Sequence, residues 1–117
     1  MMTLEEINDK IANHLIEQTV QALNEKGQCS YLTTAGLKCA VGCLIKEEYY
    51  DPSFEGVSMV VPRDDLKDAL YKSGINITDH KIKILLTIWQ GYHDDQPVFQ
   101  ADKVKAKSQE ILKAVNV

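Results

Sequence analysis

The chain has 117 residues, 44% of them hydrophobic and 26% charged, with 17 Asp+Glu against 13 Lys+Arg for a formal net charge of -4. A chain of this length buries roughly two thirds of its unfolded surface without help from metal or disulfides, so residues 1–117 read as a single domain and two full domains do not fit. Apolar runs such as Ile84-Leu85-Leu86 are far too short for a membrane span, and a mildly acidic chain lacks the basic footprint of a direct nucleic-acid binder.

Thr3 and Glu6 make an S/T-x-x-E capping box, and Leu4, Ile7, Ile11, Leu15, Ile16, Val20 and Leu23 follow at three- and four-residue steps. The spacing predicts one long amphipathic helix stopped by Gly27, with His14 on its flank as a surface residue. Over residues 28–41 the period becomes two. Thr34-Ala35-Gly36 supplies a three-residue hairpin turn with Gly36 in the left-handed position, pairing Thr33 with Leu37, Tyr31 with Cys39 and Cys29 with Val41. This register puts Cys29, Tyr31, Leu37, Cys39 and Val41 on one face, against the first helix. Residues 42–50 read as a short helical turn carrying Lys46-Glu47-Glu48, and residues 56–61 as extended up to Pro62. A second helix starts at Pro62, with Asp64 and Asp65 in its first turn and Leu66, Ala69 and Leu70 on its apolar face, and ends at Ser73-Gly74. A third, capped by Thr78 or Asp79, carries Ile82, Leu85, Leu86 and Trp89 up to Gly91, where His93 and Asp94 end it and fix the following loop. The last runs from about Asp102, with Val104, Ser108, Ile111, Leu112 and Val115 on one side. The expected fold is therefore α+β, a β-hairpin packed with about four α-helices.

Three cysteines cannot all pair within the chain, and Thr3-Leu4-Glu5-Glu6 puts acids where a secretory signal needs bases, so the expected compartment is the reducing cytoplasm. Cys39-x-x-x-Cys43 with Cys29 and His93 has the residue types of a zinc site but lacks the C-x2-C knuckle, and cysteines on an apolar face behave as small hydrophobes. A thiol enzyme built on Cys39 or Cys43 with His93 and Asp94 needs an activated thiolate, and nothing local activates either one. His93-Asp94-Asp95 is too compact to close around a divalent ion without a further ligand. Phosphate loops, G-x-S-x-G, H-E-x-x-H and EF-hand patterns are absent from the sequence. These readings predict no catalytic residue, no metal and no cofactor.

Charge is uneven: residues 44–68 hold seven acids and three bases, residues 94–102 three acids and no base, and residues 103–117 four lysines and one glutamate. Within residues 47–55, Tyr49, Tyr50 and Phe54 stand among Glu47, Glu48, Asp51 and Glu55, where no periodicity requires the rings for the core. Aromatic anchors ringed by charge suit a protein-protein contact, so these seven residues form the expected partner-binding segment, with the rings exposed.

Cys29-Ser30-Tyr31, then Gly36-Leu37-Lys38-Cys39-Ala40-Val41-Gly42-Cys43-Leu44-Ile45, Tyr50-Asp51, Glu55-Gly56 and Trp89-Gln90-Gly91-Tyr92-His93-Asp94 together resemble a family of small uncharacterised proteins encoded by tailed bacteriophages and prophages. Trp89 stands for the Leu of that family's Leu-Gln-x-x-His-Asp stretch, Leu32 where an Arg is common, and Lys46 where a Pro is. The resemblance implies a small phage-type protein acting in the host cytoplasm by binding a host protein, including one of a host defence or regulatory system, without chemistry of its own. Two alternatives stand beside it: a zinc- or thiol-dependent enzyme using Cys39, Cys43 and His93, and an acidic nucleic-acid mimic. The sequence leaves a homo-oligomer open.

Overall fold

In a computed structural model, which describes residues 1–59 and 61–117, the chain folds into four α-helices: α1 Leu4–Gln18, α2 Asp64–Lys72, α3 His80–Asp95 and α4 Ala101–Val115. Three single 3-10 turns, Gly42–Leu44, Glu47–Tyr49 and Pro52–Phe54, lie in the long connection between α1 and α2. Helix α1 packs on both α3 and α4, and Ile7, Ile11 and Leu15 on its inner stripe are completely buried with Leu85, Leu86, Trp89 and Val104 in one hydrophobic cluster. Full burial of such side chains contributes about 1.5–3 kcal/mol each. One polar chain threads this core. The Trp89 indole N–H donates to Asn8 Oδ1 at 2.8 Å, and Asn8 Nδ2 donates to Ser108 Oγ at 2.6 Å, tying α3, α1 and α4 together.

The expected α+β class is corrected: among the described residues there is no β-strand, only the isolated antiparallel bridges Val20–Val98, Leu23–Cys29 and Leu32–Lys38. The turn of the expected hairpin does close in its register. Thr33 N–H donates to the Leu37 carbonyl at 2.8 Å, Gly36 sits at φ 87°, and Leu32 faces Lys38. Pairing stops there because side chains take the Tyr31 and Val41 N–H groups that the next rungs need, and others hold the outward Leu32 and Lys38 N–H groups. The Glu55 carboxylate accepts from Tyr31 and Leu32 N–H, Gln18 accepts from Lys38 N–H, and Gln90 Oε1 accepts from Val41 N–H. Each of these four N–H groups finds a side-chain partner without a neighbouring strand. Cys29 pairs with Leu23 instead of Val41, and it is exposed while Cys39 is buried, so the two do not share an inward face.

Two helix ends also differ from expectation. Helix α1 stops at Gln18 and not near Gly27, because Thr19 adopts φ 67° and turns the chain away, leaving Val20 and Leu23 exposed. Helix α3 continues through Gly91 to Asp95, so His93 and Asp94 lie within its last turns. Of the expected extended stretch 56–61, Val60 lies outside the described residues; the others form no strand.

Candidate binding cleft

The last turns of α3 carry His93 and Asp94 toward the segment that follows α1. His93 is completely buried, and its Nε2 accepts from the Ala22 backbone N–H at 3.0 Å. That nitrogen therefore carries no proton, and the ring is the neutral tautomer whose Nδ1–H donates to Asp94 Oδ1 at 2.9 Å. Asp94 Oδ1 also accepts from Gln90 Nε2 at 2.8 Å, and the Cys29 thiol lies within 4.8 Å of the same carboxylate. Burial works against the charged carboxyl, but the interactions with His93, Cys29 and Gln90 outweigh it and hold Asp94 below the ordinary carboxylate range. The Asp94 side chain is 45% exposed, and among the described residues no Lys or Arg reaches it within salt-bridge distance.

This network lies beside a half-open cleft of about 310 Å³. Cys29, Tyr31 and Cys39 form one wall, residues 56–59 a second, and Thr87, Gln90, Gly91 and Asp94 on α3 a third. Met59, Val57 and Cys39 make much of the surface apolar. The Tyr31 hydroxyl donates to the Val57 carbonyl and so joins two walls.

Cys29, His93 and Asp94 bring one thiol, one imidazole and one carboxylate within 4.8 Å of each other. They do not fit a metal. An ion on Nδ1 would displace the proton that Asp94 accepts, and the neutral imidazole would then carry its proton on Nε2, against the Ala22 N–H. Nor do they make a nucleophile. Partial desolvation, with the neighbouring Asp94 carboxylate, pushes the Cys29 thiol up to about 11, away from the thiolate at neutral pH. His93 has no nitrogen free to take the thiol proton. Of the enzyme alternative's other residues, Cys39 is buried with its Sγ accepting from Gly42 N–H and its acidity suppressed by burial. Cys43 points away, donating to the Ala40 carbonyl at 3.0 Å, and burial raises it to about 12.

The expected partner-binding segment borders the cleft wall. Glu47, Glu48 and Asp51 are exposed, but the rings are not free anchors. Phe54 is buried at 3% exposure and meets half-buried Tyr50 edge-on, while half-buried Tyr49 lies under the Lys72 ammonium. Glu55 is occupied by Tyr31, Leu32 and the Tyr50 hydroxyl, 2.5 Å away. The expectation that all three rings are exposed is thus corrected: residues 49–55 brace the cleft from behind, and the exposed chemistry of the segment is its carboxylates. Sequence reasoning missed the cleft's Met59 and Thr87 altogether, since neither carries a chemical signature, and gave Gln90 no role.

No family model, curated protein or solved structure matches the chain. The phage-type and host-defence context implied by the resemblance thus gains no support from comparison with known proteins. Among the described residues no helix is long and apolar enough to cross a membrane.

Proposed function

We propose that the chain is a non-enzymatic binding protein that recognises another protein, using the cleft beside Asp94 and the exposed carboxylates Glu47, Glu48 and Asp51. The observation that carries this reading is the hydrogen-bonded relay from Ala22 N–H through His93 to Asp94, which Gln90 also holds. Both nitrogens of the His93 ring are tied within it, and what it presents outward is one ionised carboxylate on an apolar cleft. Fixed charge beside apolar surface suits recognition, with the acidic segment steering encounter. Three free thiols fit a reducing compartment, the cytoplasm.

The test pairs capture with thiol chemistry. Affinity capture from the source cells, with wild type beside a Glu47→Lys/Glu48→Lys variant, is expected to retain a protein partner that charge reversal weakens. Iodoacetamide at pH 7 is expected to label Cys29 far more slowly than a free cysteine peptide. Rapid, stoichiometric alkylation of Cys29 would point to an activated thiolate and overturn the non-enzymatic reading.

A further inference from the structure

We infer that the cleft seats the cationic side chain of a partner protein, an arginine, with its guanidinium on Asp94 and its aliphatic stem against Met59 and Val57. Among the described residues Asp94 is the only charged side chain lining the cleft, and its two side-chain hydrogen bonds come from a neutral imidazole and a neutral amide, with no Lys or Arg within salt-bridge distance, so its charge has no counter-ion there. A carboxylate offers about four lone-pair sites, which leaves room for a further donor. The cleft of about 310 Å³ holds on the order of ten waters at about 30 Å³ each, enough for one long side chain. Guanidinium is the more weakly hydrated of the two basic groups, and an apolar-walled cleft penalises lysine's tightly hydrated ammonium more. The surroundings agree: residues 94–102 hold three acids and no base, and the segment entering the wall adds Glu47, Glu48 and Asp51.

This inference rests on reading the chain as a binding protein, and its test separates the two. The probe is a blocked pentapeptide, Gly-Gly-Arg-Gly-Gly, titrated into the full ¹⁵N-labelled chain, beside the same peptide with citrulline and beside free propylguanidinium. The arginine peptide is expected to shift the amides of Gln90, Gly91, Asp94 and Met59, with citrulline binding at least tenfold more weakly. Asp94→Asn, which keeps an acceptor oxygen for His93, is expected to lose binding tenfold or more. Since Asp94→Asn also weakens the relay, Thr87→Lys serves as a second variant. It changes an exposed cleft position on α3 and is expected to block the peptide with its own ammonium while leaving the fold intact. Shifts that persist in Thr87→Lys, or equal binding of citrulline, would overturn the inference. So would equal affinity of propylguanidinium and the peptide, which would assign the cleft to a small free cation. A captured partner retained at full affinity by Thr87→Lys would retire the arginine contact and leave the binding-protein reading standing, whereas fast Cys29 alkylation would remove that reading itself.

Discussion

Gly42→Ala is the sharpest test of how the cleft is built. A Cβ at residue 42 would lie 1.9 Å from the Tyr31 carbonyl oxygen and 2.7 Å from its carbon, both backbone atoms that no rotamer change can move. Real Cβ atoms essentially never approach within 3.0 Å, so the two chain segments must part by about 1 Å. Three hydrogen bonds anchor the two segments on either side of that contact and would be strained by the shift: Gly42 N–H to Cys39 Sγ at 3.3 Å, Ile45 N–H to the Gly42 carbonyl at 3.2 Å, and Tyr31 N–H to Glu55 at 2.9 Å. Losing two of them costs about 1–3 kcal/mol and overpacking a further 1–3. The expected loss is therefore about 2–6 kcal/mol, a large part of the 5–15 that holds an ordinary domain. At about 3–6 °C per kcal/mol for a chain of this length, the melting temperature should fall by at least about 6 °C. Gly91→Ala is the control. Its added methyl meets nothing within 4 Å, and alanine is the better residue inside a helix, so it should stabilise by about 0.5–1 kcal/mol. Circular-dichroism melts of both variants give the answer. If Gly42→Ala melts within 2 °C of wild type (about 0.5 kcal/mol), residues 31 and 42 are not in contact and the Tyr31 wall of the cleft is misplaced.

Further outcomes follow from the same contacts. Asn8→Ala strands the buried Trp89 N–H and should cost about 2–4 kcal/mol, while the Asn8→Ala/Trp89→Phe pair should cost less than the sum of the single changes; strict additivity in denaturant melts would deny the coupling. Glu55→Ala uncaps two backbone N–H groups and the Tyr50 hydroxyl and should cost about 2–4 kcal/mol, with hydrogen exchange rising first at Tyr31 and Leu32; unchanged exchange there would refute the capping role. His14 is lowered from its ordinary 6.5, mainly by burial, although its ring bonds the Lys38 carbonyl. A depressed folded pKa means that the unfolded chain takes up the proton first, so this contribution is complete above pH 6.5 and is lost as pH falls below it. His14→Gln should flatten the melting-temperature profile between pH 7 and about 5, and an unchanged slope would assign the effect elsewhere.

The helices were legible because their signals are local. The Thr3/Glu6 capping box, the Asp79 cap and the three- and four-residue spacing of Ile7, Ile11 and Leu15 each specify helix without reference to distant residues. The region between α1 and α2 was not, because its conformation is decided by partners far away in sequence. Alternation over residues 28–41 is a genuine strand pattern, yet Glu55 and Gln90 cap the Tyr31 and Val41 N–H groups that the other strand would have taken. Nothing in a local window announces that a glutamine 49 residues away accepts from Val41. The site was half legible for the same reason. Cys29, His93 and Asp94 stood out by residue type, and their convergence depends on the helix running through Gly91, a residue that reads as a stop.

The connection between α1 and α2 is held by side chains and not by a ladder. In a sheet, the walls of a cleft are fixed by ladder bonds that no single side-chain change removes. Here the Tyr31 wall hangs on Glu55, Lys38 hangs on Gln18 and the turn after Cys39 hangs on Gln90, so position is set by three side chains. Gln90 does both jobs: its oxygen holds Val41 and its amide holds Asp94. Any force on the Asp94 carboxylate is therefore shared through one side chain with the loop that carries Cys39. The buried His93 ring, fixed at Ala22 and stacked on Phe99, resists the same displacement from the other side. The carboxylate is thus held in place in the free chain, and under the proposed binding role that fixed position lowers the ordering cost of seating a cation on it.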